Sequence, residues 1–193
     1  MNRNLMTTRL PHDFVMAILE YQTLERKVNQ LVVQVCKPFC STCSKCCCKI
    51  DFCSESLDSY WLRMTRKLSG HNQSQYDDNT GWLLSDGCRL ATGRPPVCYE
   101  YLCNRIIADI PDDSLGAVKE VSRLLSSAGK NALGNRHLIT LSSDQILNRM
   151  NFRKLRRQIA KTLRYFQKCE WELLTYSNLE PSIRFKTPFH TSG

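Results

Sequence analysis

The chain has 193 residues, of which 42% are hydrophobic, and it carries a formal net charge of +9. This length is sufficient for one domain with an ordinary core, so disulfide staples are not required. The apolar stretches are only a few residues long, which excludes a membrane-spanning helix, and Asp13, Glu20 and Glu25 interrupt any run resembling a signal peptide. We therefore expect a single domain over 1–193 that resides in the cytoplasm and has no membrane partner.

The first predicted element is a helix over 11–35. Pro11 suits a first helical turn, and Asp13 complements the positive end of the helix dipole. Pro38 should end this helix. Apolar residues recur at spacings of three and four along it and form an apolar stripe on one side, which we call its seam. The seam residues are Phe14, Ala17, Tyr21, Leu24, Val28, Leu31 and Val35.

The region 36–110 contains ten of the eleven cysteines, and seven of them fall within the 18 residues from Cys36 to Cys53. Neither helical nor strand periodicity lasts long here, although a small hairpin is expected within 80–92. We predict an irregular region whose shape depends on a cross-link. An odd number of cysteines in a reducing compartment argues against a disulfide framework, which leaves a metal held by thiolates.

The part at 111–178 is predicted to be helical, followed by a tail at 179–193. The expected elements are helices at 114–128, 143–150 and 152–177 and a short strand at 136–141. The last helix has an apolar seam of its own, at Phe152, Leu155, Ile159, Thr162, Phe166, Cys169, Leu173 and Tyr176. Because two seams in one chain can cover each other, we predict a mainly α fold. In this fold, helices at both ends pack around a cysteine-rich, irregular metal-binding region.

Four cysteines form a C-x-x-C-x-x-C-C motif at Cys40, Cys43, Cys46 and Cys47. A turn at this spacing can direct two sulfurs at one metal while backbone N–H groups bond to the thiolates, and both zinc and iron–sulfur sites use it. The side chains of Cys46 and Cys47 cannot easily point at the same place, because adjacent residues diverge in a strand and in a helix. The pair therefore indicates two neighbouring metals, or one ligand and one buried thiol.

A second group of cysteines follows at Cys88, Cys98 and Cys103. Gly93 and Pro95-Pro96 form a tight, stiff approach to Cys98. The fixed dihedral angles of proline lower the entropy that is lost when a ligand is held in place. This second group supplies further thiolates for a metal.

Together the two groups resemble the zinc- or iron-chelating domain family often called YkgJ-like. The elements that match are Cys40 to Cys47, then Gly87-Cys88, then Arg94 to Tyr101, within about a third of the chain. The resemblance implies metal binding and no settled activity. The family usually has one more cysteine between the second and third elements, which Cys48, Cys53 or Cys103 would replace here. The predicted ligands are Cys40, Cys43, Cys46, Cys47, Cys88, Cys98 and Cys103, with Cys36, Cys48 and Cys53 as additional candidates.

The leading expectation is a cytoplasmic protein that binds an iron–sulfur cluster or Zn²⁺ through cysteine thiolates. Both the cluster and the zinc ion take four ligands. One alternative is a metal-dependent or redox enzyme that modifies a protein or a small molecule, although no acid–base pair or nucleotide-binding loop is recognisable. The sequence leaves open whether the chain is an enzyme and whether it has a protein partner.

A further alternative follows from the basic charge. The segment from Arg149 to Lys168 has eight Lys and Arg residues and no acidic one. A zinc-organised nucleic-acid-binding protein would use such a helix to contact phosphates. The candidate contacts are Arg153, Arg156, Arg157 and Lys161. Cys169, by contrast, occupies a seam position and is expected to serve core packing.

Overall fold

The computed structural model describes residues 10–40, 49–84, 87–110 and 112–179. Within these ranges the chain is mainly helical, which confirms the predicted fold class. The helices are α1 (His12–Cys40), α2 (Ile50–Asp58), α3 (Tyr60–Leu68), α4 (Val97–Glu100), α5 (Asn104–Asp109), α6 (Asp112–Ser122), α7 (Leu124–Gly129) and α8 (Phe152–Leu179). Short 3₁₀ helices cover Gln73–Gln75, Leu138–Thr140 and Asp144–Arg149. None of the helices in the described ranges has an apolar stretch long enough to cross a membrane.

The long helices α1 and α8 pack against each other along the two predicted seams. The described seam residues of α1 are buried, as are Leu155, Ile159, Phe166 and Cys169 of α8. Trp61 of α3 is fully buried in the same core, with its ring edge-on to Phe14 at 5.6 Å between centroids. Burial of these apolar faces is the main source of stability for both helices. The seam side chains at Val35, Leu173 and Tyr176 lie outside the described part of the structure.

The region 36–110 is not irregular throughout, which corrects the sequence-based expectation. It contains α2 and α3, nine residues each. The Ser59 hydroxyl caps α3 by accepting the N–H of Leu62 at 3.2 Å. Gly70, with a φ of 81°, ends the helix in a left-handed conformation. Helices this short present too few turns for a seam to stand out in the sequence, so the cap and the glycine were the available signals.

The predicted hairpin within 80–92 is confirmed. Strands β1 (Leu83–Leu84) and β2 (Gly87–Cys88) pair antiparallel, with Leu83 opposite Cys88. Cys88 thereby lies at the end of the hairpin, next to a small core of Trp82 and Leu90.

Several predicted element bounds need correction. α1 continues past Pro38 to Cys40, so the proline does not end this helix, although it removes a backbone hydrogen bond there. The helix predicted at 114–128 is divided into α6 and α7. The strand predicted at 136–141 is a 3₁₀ turn in which the His137 ring accepts the N–H of Ile139. The predicted helix at 143–150 is also 3₁₀, whereas α8 agrees with its prediction. The tail at 180–193 lies outside the described residues.

The packing of α8 on α1 can be tested at Phe166, which is fully buried. We expect Phe166→Ala to lower the free energy of unfolding by about 3–5 kcal/mol, because it removes buried apolar surface and leaves a cavity. The control is Leu19→Ala on α1, where the side chain is 41% exposed, and its effect should be well under half as large. Chemical denaturation measures both, and equal losses would contradict this account of the core.

Candidate metal centre

The turn that precedes Cys98 is held by Glu25 of α1, a carboxylate that is fully buried. Its Oε2 accepts the backbone N–H of Gly93 at 2.8 Å. Its Oε1 accepts the backbone N–H of Arg94 at 2.9 Å and the hydroxyl of Tyr99 at 2.9 Å. Three donors on both sides of Pro95-Pro96 therefore converge on one carboxylate. This fixes the turn that leads into α4, the helix that carries Cys98.

A second buried polar residue lies one turn earlier on α1. Gln22 donates to the carbonyl of Thr65 at 2.8 Å and to the Ser69 hydroxyl at 2.9 Å. That hydroxyl shares a 2.5 Å hydrogen bond with Thr92, the residue before Gly93. Because Gln22 and Glu25 are three residues apart, they lie on the same side of the helix. One face of α1 thus holds both the end of α3 and the turn at 92–94.

The guanidinium of Arg94 is held next to this turn. Its Nε donates to the carbonyl of Leu90 at 2.6 Å and its Nη1 to Asn29 Oδ1 at 3.1 Å. Burial tends to lower the pKa of Arg94, but Tyr99, Cys88, Glu25 and Cys98 act in the opposite direction, and the net pKa is raised. Cys88 and Cys98 are therefore both close enough to influence the same guanidinium.

Arg66 of α3 supports the turn from the opposite side. Its Nη1 donates to the carbonyl of Gly93 at 3.2 Å and its Nη2 to the carbonyl of Ser56 at 3.0 Å. The guanidinium also lies over the Trp82 ring, 5.1 Å from the centroid. Burial lowers the pKa of Arg66 to about 10, so the side chain stays charged at neutral pH. Arg66 and Glu25 thus hold the backbone at Gly93 from both sides.

Four of the six described cysteines fall into two groups. Cys53, 8% exposed, lies in the small core with Trp82 and Leu90, and Cys88 packs against that core. Cys36 and Cys103 both pack against a different apolar cluster, formed by Leu102, Ile106, Ile110 and Val118. The structure therefore brings Cys53 near Cys88, and Cys36 near Cys103.

The described residues on either side of the C-x-x-C-x-x-C-C segment both contact the part of the chain around 101–103. On the N-terminal side, Cys36 of α1 shares an apolar cluster with Cys103. On the C-terminal side, the Lys49 ammonium lies 5.7 Å from the centre of the Tyr101 ring, and Phe52 meets that ring edge-on at 5.8 Å. Cys36 of α1 and the residues at the start of α2 therefore lie on the same side of the fold as 101–103.

The motif itself lies beyond the described residues. This applies to Cys43, Cys46, Cys47 and Cys48, and to the side chain of Cys40, so their role as ligands stays a prediction. Within the described ranges, no group of three or more Cys, His, Asp or Glu side chains is placed to hold a metal ion. Cys169 is 7% exposed in the main core, at the packing position expected for it.

Sequence reasoning missed the buried polar residues Gln22, Glu25 and Arg66. By residue type alone they resemble the solvated polar and charged residues on the same helices. A faint signal exists for α1, since Gln22 and Glu25 each directly follow a seam residue and so lie on its edge.

Comparison of the chain with protein-family models, curated proteins and solved structures yields no match. The case for a metal centre therefore depends on the residues of this chain.

The fully buried carboxylate makes stability depend on pH. Burial raises the pKa of Glu25 from about 4.5 to about 7, against the opposing effect of its hydrogen bonds and of Arg94. Between these values the folded chain holds a proton that the unfolded chain has lost, so the free energy of unfolding falls as pH rises. We expect a total change of about 3 kcal/mol from this group.

The measurement is chemical denaturation across this pH window for the wild type, Glu25→Gln and Glu55→Gln. Glu25→Gln should lose this component of the pH dependence. Glu55→Gln, at an exposed position on α2, should keep it. Parallel curves for the wild type and Glu25→Gln would show that Glu25 does not titrate in this range.

Two glycines with nearly the same backbone conformation test the packing around the turn. Gly93 has a φ of 83° and Gly70 a φ of 81°. A Cβ at Gly93 would lie 2.4 Å from Arg66 Cγ, whereas a Cβ at Gly70 would meet nothing within 4 Å. We expect Gly93→Ala to destabilise the fold by about 1–3 kcal/mol more than Gly70→Ala. Equal thermal stability of the two variants would mean that Arg66 does not hold this turn.

Proposed function

We propose that this chain is a metal-binding protein that holds an iron–sulfur cluster or Zn²⁺ through cysteine thiolates. The observation that carries the proposal is the environment of Arg94. A guanidinium held by Asn29 and the Leu90 carbonyl lies next to the turn that leads to Cys98, and both Cys88 and Cys98 act to raise its pKa. Four thiolates outweigh the charge of one Zn²⁺, so a fixed positive group nearby offsets the excess negative charge of such a site.

The donor chemistry fits this group of metals. Thiolates are soft ligands that select zinc and iron–sulfur clusters, and the chain concentrates them in one region. The described residues alone do not bring three metal-ligating side chains together. The remaining ligands would therefore come from Cys40, Cys43, Cys46 and Cys47, whose segment lies in the chain between Cys36 and Lys49.

The turn at 93–99 has the properties of a preorganised ligand support. Glu25 and Arg66 hold its backbone, and the two prolines restrict its dihedral angles. A ligand that is already in position loses little entropy when the metal binds. Bound zinc would supply folding free energy to the cysteine region, and a bound iron–sulfur cluster would supply an electron-transfer centre.

The test is metal and sulfide analysis of protein purified without oxygen. We expect iron with sulfide, or zinc, at one or two sites per chain. Cys43→Ser and Cys98→Ser should each lose most of the metal, because each removes one ligand from the proposed set. Folded wild-type protein without metal and with all thiols reduced would refute the proposal.

Cys169→Ser is the matched control, since it changes the same type of residue in the core between α1 and α8. It should keep its metal and lose about 1 kcal/mol of stability, because a hydroxyl packs less well there. If Cys169→Ser lost the metal while Cys98→Ser kept it, the metal would be bound next to α8 instead.

A further inference from the structure

A basic groove lies between α8 and the pair α6 and α7, with a volume of about 1060 Å³. Lys119 and Arg123 line one side, and Arg157 and Lys161 of α8 line the other. All four are exposed residues. In the part of the chain that the structure describes, none of them forms an ion pair. Four cations therefore face a common space without a paired carboxylate.

The structure separates these cations from their neighbours on α8. Arg156 donates to Glu20 of α1 at 2.6 Å and lies 3.6 Å from Asp13, so it joins the two long helices. Arg153 is exposed but does not line the groove. Of the four phosphate contacts predicted from the sequence, Arg157 and Lys161 belong to the basic groove.

The groove also has an aromatic side chain. Tyr165 lines it and is 42% exposed, and its hydroxyl donates to the carboxylate of Glu120. Glu120 is the one acidic residue among those that line the groove, against four basic ones. The groove therefore combines a net positive charge with an accessible ring whose orientation is held by a hydrogen bond.

The spacing of the cations indicates a polymeric ligand. Arg157 and Lys161 are four residues apart on one helix, which separates them by about 6 Å along its axis. Lys119 and Arg123 have the same separation in sequence on the facing side. A smaller cavity of about 340 Å³ shares Arg123 with the groove and is also lined by Lys130 and Glu100, so it extends the surface without adding net positive charge. This surface is longer than one phosphate group requires.

We propose that the basic groove binds single-stranded nucleic acid, with its four cations contacting phosphates and Tyr165 stacking against a base. A positively charged groove with an accessible aromatic ring is the arrangement by which proteins bind single strands. In a duplex the base faces are already stacked and cannot meet the ring. This inference is independent of the proposed metal centre, which is built from other residues.

The test is fluorescence anisotropy with the full-length protein and a labelled oligothymidylate of about 16 nucleotides. We expect binding at low salt, with a logarithmic salt dependence of slope about −3 for four phosphate contacts. Arg157→Gln/Lys161→Gln should weaken binding by about tenfold and reduce the slope by about half. Arg153→Gln/Lys154→Gln, which removes two exposed charges from the same helix outside the groove, should have a clearly smaller effect.

The contribution of the ring is tested separately. Tyr165→Leu should weaken binding by about tenfold, and Tyr165→Phe, which keeps the ring but loses its hydrogen bond to Glu120, should have a clearly smaller effect. The proposal is overturned if the oligonucleotide does not bind at low salt, or if the two double variants lose affinity equally.

A competition experiment with heparin, a polyanion without bases, tests whether the groove recognises bases. Binding of heparin as tightly as the oligonucleotide, with no effect of Tyr165→Leu, would assign the groove to polyanions in general. Metal content should be the same in all these variants, so failure here is distinct from failure of the metal proposal.

Discussion

The buried carboxylate of Glu25 is the constraint on which the cysteine region depends. A carboxylate without water around it requires donors, and the chain supplies three of them from a single turn. The requirement acts in both directions, because the N–H groups of Gly93 and Arg94 would otherwise be buried without acceptors. Satisfying Glu25 therefore fixes where the turn lies on α1, and with it the position of α4.

The same turn has a second requirement on its other face. The carbonyl of Gly93 accepts from Arg66, whose guanidinium in turn rests on Trp82. A Cβ at Gly93 would collide with this side chain, so the close approach requires glycine. Buried charges of both signs are tolerated here because each is hydrogen-bonded to the backbone between them. Hydrogen bonds from both sides of Gly93 make one backbone arrangement much more favourable than its alternatives.

The proposed metal centre and the basic groove use different parts of this framework. In the sequence, the proposed ligands fall before α2 and from β2 to α5, and Cys98 follows the turn held by Glu25. The groove is formed where α6 and α7 meet α8. The ion pair of Arg156 with Glu20 connects α8 to α1, the helix that also carries Glu25. α1 is thus the element common to the core, the cysteine region and the support of α8.

Much of the helical framework could be predicted from the sequence, because α1 and α8 are long enough for their seams to be seen as periodic patterns. α2 and α3 could not, since nine residues give only two or three turns and their buried faces are partly polar at Ser56, Thr65 and Arg66. For the candidate site, the sequence pointed to the cysteines by residue type and spacing. It did not point to Glu25 and Arg66, whose role depends on partners 68 and 27 residues away.

The sequence by itself determined the mainly α class, the two seams that pack together and the concentration of thiols and positive charge in separate segments. These properties follow from residue type and local period, which need no knowledge of distant contacts. Only the tertiary structure decided which charged side chains pair with other residues of the chain and which face solvent. Arg156 and Arg157 are neighbours of the same type, yet one pairs with Glu20 and the other lines the groove. The difference of about 100° between adjacent positions on a helix determines which element each side chain meets.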